Sequence, residues 1–517
     1  MASISSTSST ADPTDPTDPK GSAELDSFEP DPQRWLALMV IAIAQLMVVL
    51  DATIVNIALP SAQQALHISD SDRAWVVTAY TLAFGGLLLL GGRIADFVGR
   101  KRIFIIGLIG FAFASALGGA APNSGLLLAA RALQGAFAAL LAPASLALIS
   151  VTFTDVKERA RAFGVYGAIA GGGAAIGLVV GGVLTTYASW RWCLLVNIPI
   201  ALFAAFAAVP VVRESRASGD TKYDIPGAVT ATVGLVSLVY GFTKVSQLKP
   251  AVEGQLAEVN GWTNPVSVTS FLIAIAMFVA FVVVERRTQH PLLPLRVILD
   301  RNRGGSYLTS LLVGLAMFGM FLFLTYYFQG TLHYTPLKSG FAFLPFSGGI
   351  IIGAGIVSQL LPKVGPRILM TTGTLMAAAA MFWLTQIGVD TAWVTHVLPS
   401  EVVMSLGMAA VFIPLTSTAL IGVGDHDAGV ASALVNTTQQ IGGSLGTALL
   451  NTVATAATAG FIVANGAAAA QKGLVHGYTQ AFTVSAILML VASAVAFGFI
   501  SPGKPEEHIA EAAPMHL

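Results

Sequence analysis

The sequence predicts an all-α polytopic membrane protein, and three observations carry that expectation. Of its 517 residues, 55% are hydrophobic and only 10% are charged, against about 25% charged in an ordinary soluble domain. The apolar residues fall into fourteen stretches, each near the roughly 20 residues that a bilayer-spanning helix needs. Lys and Arg then segregate across those spans: 20 of the 27 fall on one side, 6 on the other, and Arg131 lies inside the fourth span. The crowded side holds both termini and is cytoplasmic by the positive-inside rule. One span more or fewer would scramble the segregation.

The first 33 residues carry seven acidic groups and one basic one, Lys20, with a TDPTDPTDP run. Such a segment cannot bury enough apolar surface to fold. Residues 1–33 are therefore expected to be a disordered cytoplasmic tail, and they lack the basic start and apolar stretch of a cleavable signal peptide. Residues 34–212 are expected to form a six-helix bundle, 213–303 to hold two extra transmembrane helices with their linkers, 304–500 a second six-helix bundle, and 501–517 a cytoplasmic tail. The two bundles look alike. A short basic turn joins the second and third helix of each, GGRIADFVGRKR at 91–102 and LLPKVGPR at 360–367. Internal repeats of this kind are common in secondary transporters, which bind substrate near the midplane between the halves.

Composition also bounds the function. Lys+Arg and Asp+Glu both total 27, which gives no net charge for a nucleic-acid partner. The single cysteine, Cys193, excludes an intrachain disulfide and leaves no cysteine cluster for a metal. The eight histidines are scattered, no nucleophile–base pair stands out, and the G-x-x-x-x-G-K-[ST] segment of a nucleotide-driven pump is missing. The expectation is a non-enzymatic protein with no metal and no cofactor. Its partners are the lipid bilayer, a small molecule and protons, and it is read as a monomer.

Residues 50–60, LDATIVNIALP, place Asp51 inside the first span, after a run at 35–49 with no ionisable group. A charge there costs roughly 3 kcal/mol on insertion scales, so an intramembrane acid is a functional candidate by default. Asp51 is read as a proton-handling group; the plainer alternative is a carboxylate that pins helix 1 to a neighbour. Helix 4 carries Arg131 at the head of RALQGAFAALLAPA. At 1.5 Å per residue, Asp51 lies roughly 24 Å beyond Trp35 and Arg131 about 9 Å past the outer end of helix 4, both in the outer half of the membrane. They are expected to share a polar cluster. A guanidinium nearby favours the ionised carboxylate and apolar burial favours the neutral one, so rocking of the halves would load or release a proton. A static ion pair is the alternative.

Helix 5 carries Gly164, Gly173, Gly177, Gly181 and Gly182. Their spacing puts most of them on one stripe, where small residues let another helix approach closely. Polar groups within apolar spans need a partner or an aqueous cavity. On that ground Gln45 and Asn56 in helix 1, Gln134 in helix 4, Asn197 in helix 6, and Asn436, Gln439 and Gln440 in helix 13 are candidate substrate-cavity residues, with hydrogen bonding between helices as the alternative. In helix 9, MFGMFLFLTYYFQG at 317–330 offers an adaptable surface of Met and aromatics, while Tyr326, Tyr327 and Phe328 also fit an interfacial aromatic belt. Glu401 is the one acid within helices 9–14 as read from the sequence. Its place near the start of helix 12 reads as a loop-proximal residue reaching for water, with a cation-sensing group as the alternative.

The turn after helix 2 reads G-R-I-A-D-F-V-G-R-K-R at 92–102. Glycines permit a tight turn, Asp96 can bond backbone or the arginines around it, and the basic cluster faces anionic headgroups. This G-x-x-x-D-x-x-G-R-K order resembles the signature of the major facilitator superfamily. The resemblance implies a conformational latch built from Gly92, Asp96, Gly99, Arg100 and Lys101 that opens as the halves rock. The fourteen spans, LDATIVNIALP, Trp75 and Tyr80 in AWVVTAYTLA, WRWCLLVNIP at 190–199 and GVASALVNTTQQIGGSLGTA at 429–448 are similar to the drug:proton antiporter branch. That likeness implies a major facilitator fold with 14 transmembrane helices arranged six plus two plus six. It also implies proton-coupled export of amphipathic small molecules or antibiotics across a bacterial cytoplasmic membrane by alternating access. A dedicated exporter of one endogenous metabolite is the alternative, and a membrane sensor without transport a remoter one. The branch's Gly-Pro-x-x-Gly-Gly motif has Leu178 in its proline position here, which removes a kink but keeps the packing surface.

Overall fold

The computed structural model describes residues 32–502 apart from 71, 154, 217–223, 248–258, 289–290, 292, 294–297 and 421–427. Both expected tails lie almost wholly outside the described residues. The described residues are helical nearly throughout: α1 Arg34–Ala65, α2 Trp75–Val98, α3 Arg100–Gly119, α4 Ser124–Thr152, α5 Val156–Tyr187, α6 Trp192–Val211, α7 Ile225–Ser246, α8 Pro265–Arg287, α9 Arg301–Tyr326, α10 Pro336–Val364, α11 Pro366–Leu384, α12 Trp393–Leu420, α13 Ala428–Asn465 and α14 Ala470–Phe499. α6 breaks for one residue at Val196, α10 for one at Phe343, and α9 runs on into a π-helical turn, Tyr327–Thr331. Among the described residues, thirteen spans are long and apolar enough to cross a membrane; of α5, the stretch Ile176–Tyr187 is apolar.

Helix is forced on such segments, because backbone groups in hydrocarbon must bond within their own segment. Their ends are set by polar caps. Asn123 accepts from the Leu126 amide at 2.9 Å to start α4, Asp224 from Gly227 at 2.8 Å to start α7, and Asp300 from Arg303 at 2.9 Å to start α9. Each supplies a partner for an amide that the first turn leaves unpaired. The turns at 91–102 and 360–367 have the same build. Gly99 at φ +121° links α2 to α3, and Gly365 at φ +83° links α10 to α11; both conformations suit glycine alone.

α1–α6 pack among themselves, as do α9–α14. α7 and α8 pack on each other, and α7 lies against both α2 and α13, where the Thr452 hydroxyl donates to the Phe242 carbonyl at 2.8 Å. α7 thus covers a seam between the groups, with α8 packed on it. At the end remote from Arg34 and Arg301, here called distal, one apolar core runs across both groups, joining Ile54, Ile57 and Leu59 of α1 to Phe323 of α9 and Phe328 just beyond it. α5 and α10 touch there too: a methyl on Gly182 would meet the Leu337 Cα at 2.7 Å, and one on Gly340 the Leu178 carbonyl at 2.5 Å. Nearer the proximal end, Gly164 of α5 and Gly355 of α10 have nothing within 4 Å of such a methyl. The two groups are therefore joined distally through α5 and α10, while α2 packs along α13, with Leu89 against Tyr307 and Leu434 nearer the proximal end.

Candidate functional site

Three helices of the first group converge on one carboxylate. Asp51 is fully buried on α1, and Arg131, 1% exposed on α4, donates to its Oδ2 at 2.6 Å. Its Oδ1 accepts from Gln134 Nε2 at 2.9 Å and from Asn197 Nδ2 at 2.8 Å. Arg131 is held in turn: its Nε donates to the Val76 carbonyl at 3.0 Å, an Nη1 bond reaches Gln134 Oε1 at 2.8 Å, and the guanidinium lies 4.4 Å from the Tyr80 ring centroid. Gln134 also donates to Ser115 of α3 at 2.8 Å. The spacing explains the meeting, since Arg131 and Gln134 are three apart and share a face of α4. A buried pair is tolerable only when its remaining hydrogen-bonding capacity is met, and here both carboxylate oxygens are. A small apolar cavity lies beside Arg131, lined by Val55, Leu59, Leu127, Trp190 and Cys193.

Four of the residues singled out in the sequence, Asp51, Arg131, Gln134 and Asn197, thus come together. Gln134 and Asn197 were expected to face a cavity, but both are fully buried around the carboxylate. The other five lie elsewhere. Gln45 accepts from the Tyr166 hydroxyl of α5 at 2.7 Å, and Asn56 donates to the Ala52 carbonyl of its own helix at 3.2 Å. Asn436 is exposed, while Gln439 and Gln440 are half-buried.

On α5, methyls at Gly173, Gly177 and Gly181 would meet Val49, Thr53 and Ile54 of α1 at 3.1, 2.0 and 2.8 Å. This glycine stripe seats the helix that bears Asp51. Gly182 instead faces α10, and Gly164 is exposed, outside the stripe.

At the turn after α2, Asp96 and Arg100 form an ion pair at 2.8 Å, and Gly92 lies beside Pro143. Glu214, beyond α6, accepts from the Lys101 amide at 3.1 Å, and Lys101 Nζ donates to the Val209 carbonyl at 2.6 Å. These bonds stay within the first group of helices. The position of Gly99 is tight as well as left-handed, since a methyl there would sit 2.7 Å from Glu214 Oε1.

A second polar cluster at the distal end was not legible in the sequence. Arg73, counted there only as one of six outer cations, is 4% exposed. Its Nε donates to Asn451 of α13 at 3.2 Å, an Nη bonds Asp70 at 3.3 Å, and the guanidinium lies 4.0 Å from the Tyr326 ring centroid of α9. The Tyr326 hydroxyl donates to Gln63 of α1, and Gln329 donates to the Ile57 carbonyl at 3.0 Å. Each of these contacts except that to Asp70 crosses from one helix group to the other. Tyr326, Tyr327 and Phe328 are all buried, which corrects the aromatic-belt alternative: Tyr326 bridges the groups, and Tyr327 and Phe328 pack in the apolar core rather than at a lipid interface. Glu401 also departs from expectation. It is fully buried eight residues into α12, not at a helix end reaching for water.

A family model for the Major Facilitator Superfamily matches residues 41–447. The chain belongs to this superfamily. Its sequence is 50% identical over 476 residues to the puromycin resistance protein pur8 of Streptomyces alboniger, covering 91% of this chain and 92% of that one. It is 36% identical over 458 residues to the cephamycin export protein CmcT of Amycolatopsis lactamdurans, covering 88% and 90%. Among solved structures, a bacterial homologue of the human lysosomal transporter Spinster, in an inward-facing and occupied conformation, superposes with a TM-score of 0.61 at 15% identity, covering 93% of this chain and 99% of that one. That likeness extends to the fold. This member of the Major Facilitator Superfamily is a multi-pass membrane transporter for a small molecule.

Proposed function

We propose that this transporter exports amphipathic antibiotics or similar small molecules from a bacterial cytoplasm in exchange for protons, by alternating access between α1–α6 and α9–α14. The observation that carries the coupling is the buried carboxylate with its three donors, Arg131, Gln134 and Asn197. A charge in the membrane interior demands such compensation, and a carboxylate on α1 whose donors sit on two other helices, α4 and α6, changes its proton affinity whenever those helices shift. The relatives named for puromycin resistance and cephamycin export support the substrate class.

In this reading both termini and the proximal ends are cytoplasmic, α5 is the fourteenth span, and the helices divide six plus two plus six. The distal closure, with Gly164 and Gly355 meeting no neighbour nearer the proximal end, supports a form open to the cytoplasm. Substrate enters between the halves from there. The latch residues Gly92, Asp96, Gly99, Arg100 and Lys101 are disengaged from the second half in this form and engage it when the proximal side closes. Proton uptake by Asp51 releases the Arg131 guanidinium from its carboxylate partner, and the halves rock. The chain works as a monomer, since each half already has its partner within the chain.

The test is transport by the purified protein in liposomes under an imposed pH gradient. Internal pH and puromycin would be followed together, for wild type and Asp51→Asn. Gradient-driven puromycin movement with proton counterflow, lost in the variant, is the expected result. Equal movement in both proteins would remove Asp51 from the coupling. A dedicated exporter of one metabolite is the second reading, favoured because each of the two named relatives carries one antibiotic in its name. Movement of a single compound from a panel of unrelated lipophilic drugs would select it.

A further inference from the structure

α12 bears a second intramembrane carboxylate that the site above does not use. Glu401 lies about 12 Å from the distal start of its helix at 1.5 Å per residue, it is fully buried, and neither carboxylate oxygen has a hydrogen-bond partner. Val397, Met404 and Met408, which share its face of the helix, are all buried in the large apolar core. The hydroxyls closest to it along the helix are committed to backbone: Ser400 donates to the His396 carbonyl at 2.7 Å and Ser405 to that of Val402 at 2.8 Å.

The helices packed against α12 bring no charge to it. On α9, Arg301 bonds the Gly498 carbonyl, Arg303 pairs with Asp300, and Tyr307 lies at the same proximal end; at the distal end Tyr326 donates to Gln63. Tyr327, just beyond, donates to the carbonyls of Gly388 and Thr391. α10 offers Lys338 at its distal end, set over the Tyr334 ring, and Lys363 at its proximal end. α11 offers Arg367, set over the Phe497 ring, and α13 has no titratable residue. His396, on the first turn of α12, is half-buried and engages Thr395.

The internal repeat makes this position informative. α4 and α12 are each the fourth helix of their group; Arg131 stands seven residues after the start of one and Glu401 eight after the start of the other. The first group fills that level with a neutralising pair, and the second with a lone acid. An ionised carboxylate without donors in apolar surroundings is too costly to keep.

We propose that Glu401 is a second proton-binding site, which carries a proton while the distal side is closed and exchanges it when the halves part. The step is a carboxylate taking one proton from water to become the neutral acid, with no other bond changed. This inference rests on the proton-coupled reading above, deepened by one further site.

The test is infrared spectroscopy of the full chain in lipid vesicles at neutral pH. A protonated-carboxyl C=O band should be present in wild type and in Asp51→Asn, and be lost in Glu401→Gln. In D₂O under an imposed pH gradient, that band should shift as the proton exchanges. No band lost in Glu401→Gln, or a band that fails to exchange while the gradient drives the protein, overturns the proposal. If Glu401→Gln does not fold, wild type labelled with ¹³C-glutamate decides the matter, since the absence of any isotope-shifted neutral-acid band at neutral pH also overturns it. Either failure leaves the Asp51→Asn transport result unaffected, so the two proposals fall separately.

Discussion

Arg131 reaches Asp51 at 2.6 Å across the interface of α4 and α1, with neither side chain more than 1% exposed. In such a pair the loss of one partner strands a buried charge, at a cost of about 3–5 kcal/mol, whereas replacing both charges together is often close to neutral. Asp51→Asn and Arg131→Gln are each expected to lower thermal stability by that order, and the double variant to recover most of the loss. Unfolding in mild detergent measures all three. A double variant as unstable as the sum of the singles would mean that the charges do not act as a pair.

Gln134 and Asn197 share the Oδ1 atom of Asp51. Hydrogen bonds to charged groups contribute about 1.5–3 kcal/mol each. Gln134→Ala should be the more damaging of the two, because it also strands the Ser115 hydroxyl and one Arg131 bond. Asn197→Ala should lose the lower end of that range and retain partial transport. The order of the two melting temperatures checks this.

Arg73 and Tyr326 hold the distal ends together. A desolvated cation–π contact is worth about 2 kcal/mol, and each 1.4 kcal/mol shifts an equilibrium about tenfold. Arg73→Leu should therefore favour the distally open form by tenfold or more. The readout is disulfide formation between cysteines placed at Thr186 and Leu337, whose side-chain oxygen and backbone nitrogen lie 3.1 Å apart, in a Cys193→Ser background. Ready cross-linking that blocks transport, and a fall in its yield on adding Arg73→Leu, are the expected results. An unchanged yield would sink the role of Arg73 as a lock.

The glycines of α5 supply an internal control. A methyl at Gly177 would sit 2.0 Å from Thr53 Oγ1, whereas one at Gly164 meets nothing within 4 Å. Gly177→Ala should cost about 1–3 kcal/mol, the usual penalty for overpacking. Gly164→Ala should be neutral or slightly stabilising, since alanine is the better helix former. Equal melting temperatures for the two variants would mean that α5 does not seat on α1 as described.

The sequence by itself determined the class of molecule and the candidate coupling pair. Apolar runs of about 20 residues leave the backbone no partner but itself, so the spans could be read along the chain, and a charge within a span is costly enough to mark Asp51 and Arg131 as functional candidates. Helical rise placed both at one depth, because 1.5 Å per residue is a local quantity. The tertiary structure decided what lies between helices. Which amides turn toward Asp51, and that Gln45 and Asn56 turn elsewhere, depends on helix rotation, which apolar spans encode weakly because their faces are alike. Arg73 sits in a segment that reads as an ordinary loop, and only the meeting of α9 and α13 above it makes it buried. Glu401 lies near a helix start in sequence yet deep in space, because α9, α10 and α11 close around α12. Burial is a property of neighbours brought from far along the chain, and no local pattern carries it.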